Sequence, residues 1–176
     1  MVRRRRRTVL RGLPRRPRQV VLLIVAIAAL LLAPWLAEDA SSPSQLEPGT
    51  YRVQRVVDGD TLVLTNQARI RLIGADTPET VRPNHPVEPW GPEATQFTRE
   101  FVTGRDVRLQ FDGPQKDKYD RFLAHVWVGD RMLEEELIRA GLATAATDYR
   151  YSSAMKTRFL AAQDQGRAAG RGIWSR

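Results

Sequence analysis

Apolar residues fall along this chain in two different patterns. From Val20 to Ala33 they form an unbroken run, which continues through Pro34, Trp35 and Leu36 to Ala37. From Thr50 onward they come in short bursts separated by polar punctuation. Tyr51 to Val57, Thr61 to Leu64 and Arg69 to Ile73 are rich in strand formers and follow one another closely. The first two flank Asp58-Gly59, a strong hairpin signal, and the last two flank a polar turn around Asn66-Gln67. The pattern predicts a meander in which Asp58 and Gly59 make the first turn. Asp60 is the anomaly, because it stands where the chain should already be returning into the sheet.

After Pro78 a loop carrying Pro83, Pro86 and Pro89 leads to Gly91-Pro92-Glu93, where proline and an acid in the first turn announce a helix. Phe97, Phe101 and Val102 recur at helical spacing and Gly104 ends the element. Asp106 to Phe111 alternates Val107, Leu109 and Phe111 against Arg108 and Gln110, the period of a half-buried strand. Phe122 to Val128 reads as a further strand with Gly129-Asp130 as its turn. Met132 to Ala140 and Ser152 to Ala169 read as helices, closed by Gly141 and Gly170. Five short strands with about three helices predict an α+β fold whose sheet curls into a small OB-fold-like β-barrel. A hydrophobic helix at the N-terminus is expected in addition.

Charge divides the chain in the same place. The formal net charge is +8, but nine of the 28 Lys and Arg residues lie within the first 18 positions. With Glu38 and Asp39 set aside, the remainder holds 19 basic and 18 acidic residues, so the globular part is nearly neutral. The basic pI is therefore a property of the N-terminus. An arginine-rich flank before an apolar run reads as a signal peptide or a single membrane anchor, and the poor small-x-small cleavage pattern favours the anchor. "RRTVLR", Arg6 to Arg11, also resembles a twin-arginine export signal. Arginine-rich flanks stay cytoplasmic, which places the rest outside the cytoplasm, membrane-anchored or secreted. The expected organisation is a basic N-terminus over 1–19, the anchor or signal segment over 20–37, a linker over 38–49 and a globular domain over 50–176. Cysteine is absent, so no disulfide framework exists.

Polar residues in strand contexts concentrate in three stretches: Asp58-Gly59-Asp60-Thr61, then "RIRLIGADTPET" (Arg69 to Thr80), then "KDKYDRFLAHV" (Lys116 to Val126). Singly, each has a bland explanation as a turn, a capping pair or a solvated charge run. Together, "VVDGDTLVL", "RLIGADTPE", "GPEATQFTREFV", "DKYDRFLAHV", "LIRAGLA" and "GIWS" stand in the order and spacing of the staphylococcal nuclease, or thermonuclease, family, which the chain resembles over about 50–176. The resemblance implies an OB-fold barrel and calcium-dependent hydrolysis of single- and double-stranded DNA and of RNA. Little sequence preference, 3′-phosphate products and a monomer are expected.

The resemblance also implies roles. Phosphodiester hydrolysis loads negative charge onto phosphoryl oxygens, and Arg71 and Arg121 are the candidates to meet it, since a guanidinium is always charged and grips two oxygens at once. Asp60, Asp76 and the Thr77 carbonyl resemble the family's Ca2+ ligands, and Glu79 resembles the residue proposed as general base on the attacking water. Lys118 and Tyr119 match a phosphate-binding pair, and Tyr149 matches one tyrosine of a base-stacking pair. Two departures stand out. Thr147 replaces the second tyrosine, which should weaken stacking. Asp120 replaces a glycine before Arg121, which should add negative charge near a phosphate. His85, His125, Trp90, Trp127 and Trp174 read as structural or solvated residues. The alternatives are a non-catalytic OB-fold binding module of the same family, or an envelope protein using its anchor to organise partners.

Overall fold

A computed structural model describes residues 42–81 and 86–175. The expected anchor and His85 lie outside the described residues, and no helix among those described is long and apolar enough to cross a membrane. The elements are β1 (Gly49–Asp58), β2 (Thr61–Leu64), β3 (Arg69–Leu72), β4 (Ala75–Asp76), α1 (Gly91–Val102), β5 (Asp106–Gln110), β6 (Phe122–Val128), β7 (Arg131–Met132), α2 (Leu133–Arg139), β8 (Thr144–Ala145), α3 (Ser153–Ala168) and a closing 3-10 turn (Gly172–Trp174). The chain is ordered into the domain slightly earlier than its polar composition suggests. Leu46 is buried in the core, inside the expected linker.

The predicted meander is present, and it closes. β1 pairs antiparallel with β2, and β2 with β3. The first half of β1 also pairs with β5, from Gly49↔Leu109 to Arg52↔Asp106, and β5 pairs with β6. The ring is completed by β3 and β6 running parallel, with Ile70 opposite Phe122 and Leu72 opposite Ala124. The result is a closed five-stranded mixed barrel of OB-fold type with three helices around it, and closure leaves the pairing strands without an unpaired flank at that seam.

Leu62, Leu64, Ile70, Leu72, Leu109 and Phe122 are fully buried side chains of the barrel strands. Phe159 of α3 packs against Gly74, whose φ of 91° and lack of a side chain admit the ring: an added Cβ would lie 2.5 Å from the Phe159 Cε2. Pro92 opens α1 as expected, and Ala94, Phe101 and Val102 are its buried apolar positions.

The first turn differs from the expectation by one residue. Asp58 is the last residue of β1 and faces Thr61, so Gly59 and Asp60 form the turn. Neither Gly59 nor Asp60 has a positive φ. Glycine is required at 59 for space instead: a Cβ there would lie 2.8 Å from the Thr77 side chain and 2.9 Å from the Ala94 Cβ. Irregularities in the β1–β2 register shift the turn, and Asp58 is drawn into the sheet end by partners the sequence did not reveal.

Candidate active site

The end of the barrel where β1 turns into β2 and β3 leads into β4 bears a polar cleft of about 450 Å3. Asp60, Arg71, Asp76, Thr77, Glu79 and Arg121 all line it, with Tyr119 at its rim, although they come from three separate stretches of sequence. The parallel β3–β6 pair accounts for part of this convergence. It sets Arg71 opposite Leu123, two residues beyond Arg121.

Asp60 is the most enclosed of the group, at 3% exposure. Its Oδ2 accepts from the Thr77 backbone N–H at 3.0 Å and the Thr77 hydroxyl at 2.9 Å, while Oδ1 accepts from the Thr61 hydroxyl at 3.1 Å. Its Oδ1 also pairs with Arg71 Nη1. The other end of the same guanidinium, Nη2, lies 2.6 Å from Asp76 Oδ1. One planar cation therefore spans the two carboxylates expected to hold a metal. Asp76 keeps most of its side chain in solvent, at 63% exposure, so the pair opens outward. Arg71 Nε is buried and has no acceptor among the described residues. A buried donor without an acceptor is costly.

Glu79 follows Pro78 in a tight turn, where its Oε1 accepts from the backbone N–H groups of Thr80 and Val81, each at 3.0 Å. Its own N–H donates to Glu88 Oε2 at 3.0 Å. Its carboxyl also hydrogen-bonds Asp58. Asp58 Oδ1 gathers the Gly59 N–H at 2.7 Å, the Thr80 hydroxyl at 2.9 Å and the Thr95 hydroxyl of α1 at 3.3 Å. Burial, and next the bond to Glu79, push the Asp58 carboxyl above its usual range, against the pull of Gly59 and Thr80. Asp58 is thus more than a turn residue. It ties the hairpin, the Glu79 turn and α1 into one frame.

Arg121 is held by Asp117, a residue the sequence reading passed over. Asp117 Oδ2 accepts from Arg121 Nε at 2.7 Å and lies 2.6 Å from Nη2, while Oδ1 accepts from the backbone N–H groups of Tyr119 and Arg121. Burial alone would raise the Asp117 carboxyl, but the bonds from Arg121 and Tyr119 outweigh it and lower its pKa. The guanidinium rests 5.4 Å from the centre of the exposed Tyr119 ring, on which Lys118 also lies at 5.0 Å. The signal in the sequence was an Asp four residues ahead of Arg121, but in a non-helical segment that spacing does not imply a pair.

Two residues singled out in the sequence lie apart from the cleft lining. Asp120 occupies a φ of 61°, the left-handed conformation that favours glycine and that Asp tolerates better than most residues. Its carboxylate pairs with Lys116 at 2.7 Å and is absent from the cleft lining, so its charge is neutralised to one side. Tyr149 is partly buried against the hydrophobic core and lies outside the cleft lining. Among the described residues no group of three His, Cys, Asp or Glu side chains could hold a metal. The expected donors Asp60, Asp76 and the Thr77 carbonyl are all oxygen, the chemistry of a hard cation that keeps other positions for water and substrate.

A family model described as staphylococcal nuclease homologue matches residues 69–176. The thermonuclease of Staphylococcus hyicus is 41% identical over 162 residues, covering 87% of this chain and 95% of the relative. The thermonuclease of Staphylococcus intermedius is also 41% identical, over 165 residues and 96% of its length. Endonuclease YncB of Bacillus subtilis is 34% identical over 139 residues, 77% of this chain and 66% of its own. With a closed barrel, a cleft joining three dispersed motifs and similarity that runs nearly end to end, the chain belongs to the staphylococcal nuclease family.

Proposed function

We propose that the protein is a metal-dependent nuclease that hydrolyses phosphodiester bonds in DNA and RNA with little sequence preference, uses calcium and leaves 3′-phosphate ends. The observation that carries the proposal is the Arg71 guanidinium joining Asp60 to Asp76 in the cleft that Glu79 and Arg121 also line. Names of the relatives, thermonuclease and endonuclease, point the same way.

In this reading Asp60, Asp76 and the Thr77 carbonyl would hold the cation. A bound calcium ion supplies charge neutralisation at the phosphate and orients water. The scissile phosphate enters between Arg71 and Arg121. Their N–H groups donate to its non-bridging oxygens, more strongly as negative charge accumulates there. Asp117 keeps Arg121 aimed while leaving donors over. Glu79, fixed by Thr80, Val81 and Asp58, faces the attacking water and accepts its proton. The water oxygen bonds to phosphorus, the P–O5′ bond breaks, and the departing 5′-oxygen takes a proton from solvent to leave as a hydroxyl, while Glu79 returns its proton to solvent. Tyr119 lines the cleft, with Lys118 over its ring, where the chain would lie. The domain acts as a monomer outside the cytoplasm, tethered or exported through the N-terminal segment.

The test is digestion of 5′-labelled single-stranded DNA and RNA by the full-length chain across a range of calcium concentrations, and again with excess chelator. Calcium-dependent fragments that shift on treatment with a 3′-phosphatase are expected. Retained binding without cleavage at every calcium concentration would overturn the proposal in favour of a non-catalytic binding module.

A further inference from the structure

A second groove, of about 510 Å3, lies between β1 and the end of α1, and four arginines line it: Arg52, Arg55, Arg99 and Arg105. Its origin is topological. β1 pairs with β5 only as far as Arg52↔Asp106, then continues toward the cleft with β2 alone on its other side. The turn between α1 and β5, with Thr103, Gly104 and Arg105, stands across the gap this divergence leaves.

The charge there is poorly compensated. Arg52 bonds Asp106, with Nε at 3.2 Å and Nη2 at 3.0 Å. Arg99 and Arg105 are exposed and use only neutral acceptors, the Gln96 side chain at 2.7 Å and the Phe101 carbonyl at 3.0 Å. The Arg55 side chain is exposed and makes no hydrogen bond or ion pair among the described residues. Four guanidinium forks against one carboxylate make a concave surface suited to repeated phosphates.

Groove and cleft border the same strand, with Val56 lining the one and Val57 the other. At about 3.3 Å per strand residue, Arg55 and Arg52 lie about 10 and 20 Å along β1 from Asp58. That corresponds to about three to six phosphate spacings of a stacked strand. We infer that this arginine groove binds the sugar-phosphate backbone of the nucleic-acid substrate several nucleotides away from the bond being cut. The inference rests on the nuclease reading for its ligand. Nothing in the groove can catalyse hydrolysis, so it contributes to binding alone, and only for chains long enough to reach it.

The experiment compares the full-length protein with the triple variant Arg55→Gln, Arg99→Gln, Arg105→Gln, leaving Arg52 and its Asp106 pair in place. Both carry the same arginine-rich N-terminus, which cancels from the difference. Anisotropy of a labelled 20-nucleotide DNA in excess chelator reads binding without turnover, so its outcome is independent of whether cleavage occurs. Removing three phosphate contacts should flatten the slope of log K against log salt by about 2 and weaken binding about tenfold at low salt. In calcium, KM for the 20-nucleotide substrate should rise while kcat/KM for a dinucleotide stays unchanged. The triple Lys variant should keep the parental salt slope. Should the Gln triple not fold, Arg55→Gln alone, at an exposed site without a partner, should flatten the slope by about 0.7. An unchanged slope and KM in the folded variants overturns the inference. So does a loss of affinity for vesicles of anionic phospholipid with no change toward DNA.

Discussion

Arg71→Met tests both halves of the cleft's design at once. Methionine keeps much of the length and apolar volume of the side chain and deletes the guanidinium. The two ion pairs lost are unequal. Asp76 is largely solvated, so its share is about 0–1 kcal/mol. Asp60 is nearly enclosed, and removing one member of a buried pair costs about 3–5 kcal/mol. Three donors, from Thr61 and Thr77, remain on Asp60 and keep the carboxylate satisfied in part, which argues for the low end of that range. A loss of about 3 kcal/mol is expected, equivalent to about 10 °C in Tm for a domain of this size. Turnover should fall further, by about 100- to 1,000-fold, as when one donor to a developing anion is deleted. Urea unfolding without divalent ions reads the first quantity and initial rates on single-stranded DNA read the second. Calcium should raise the unfolding midpoint of the variant more than that of the parent, since a cation shared by Asp60 and Asp76 replaces part of the missing charge. A stability change below about 0.5 kcal/mol would show that Asp60 does not depend on Arg71. A folded variant with parental turnover would remove Arg71 from the reaction.

Asp117→Asn should lower kcat about tenfold with little change in KM, because the amide loosens Arg121 without removing it; an equal loss in an Arg121→Met background would show that the two residues act independently. Gly74→Ala should destabilise the domain by about 2 kcal/mol or more, combining a left-handed φ with a clash against Phe159, and a Tm within a degree of the parent would refute that packing. Buried His125 lies 3.3 Å from Glu134 and 3.6 Å from Asp112; burial opposes its charge, but the two carboxylates outweigh this and raise its pKa above 6.5. A raised folded-state value means stability that is full below pH 6.5 and lost as pH rises through the shifted value, with the raised Glu134 carboxyl acting in the same sense. Urea midpoints should therefore decline toward alkaline pH, and His125→Gln should flatten the decline; an unaltered pH profile would refute the assignment.

Short-range signals carried most of the fold. Val107, Leu109 and Phe111 alternating against Arg108 and Gln110 made β5 readable, and Gly91-Pro92-Glu93 announced α1 because their chemistry is local. The parallel β3–β6 seam was not readable, since residues such as Ile70 and Phe122 carry no mark of which distant strand they will join. The site divides in the same way. Asp60, Arg71, Asp76, Glu79 and Arg121 stood out as charged residues beside strand ends. Asp58, assigned to the turn, and Asp117, unmarked in a polar run, gained their importance from three-dimensional partners. His125 and Glu134 were hidden for the converse reason. Each looks ordinary alone, and only burial side by side makes them a pair.

The seam between β3 and β6 also governs when the protein can act. Arg71 and Arg121 stand on opposite lips of a hoop that cannot shut until the strand ending at Val128 is available. A chain still emerging from the ribosome, or threading through a narrow passage, holds its cutting groups apart. Non-local pairing of this kind forms late and slowly, so hydrolytic capacity arrives with completed topology rather than with the motifs themselves.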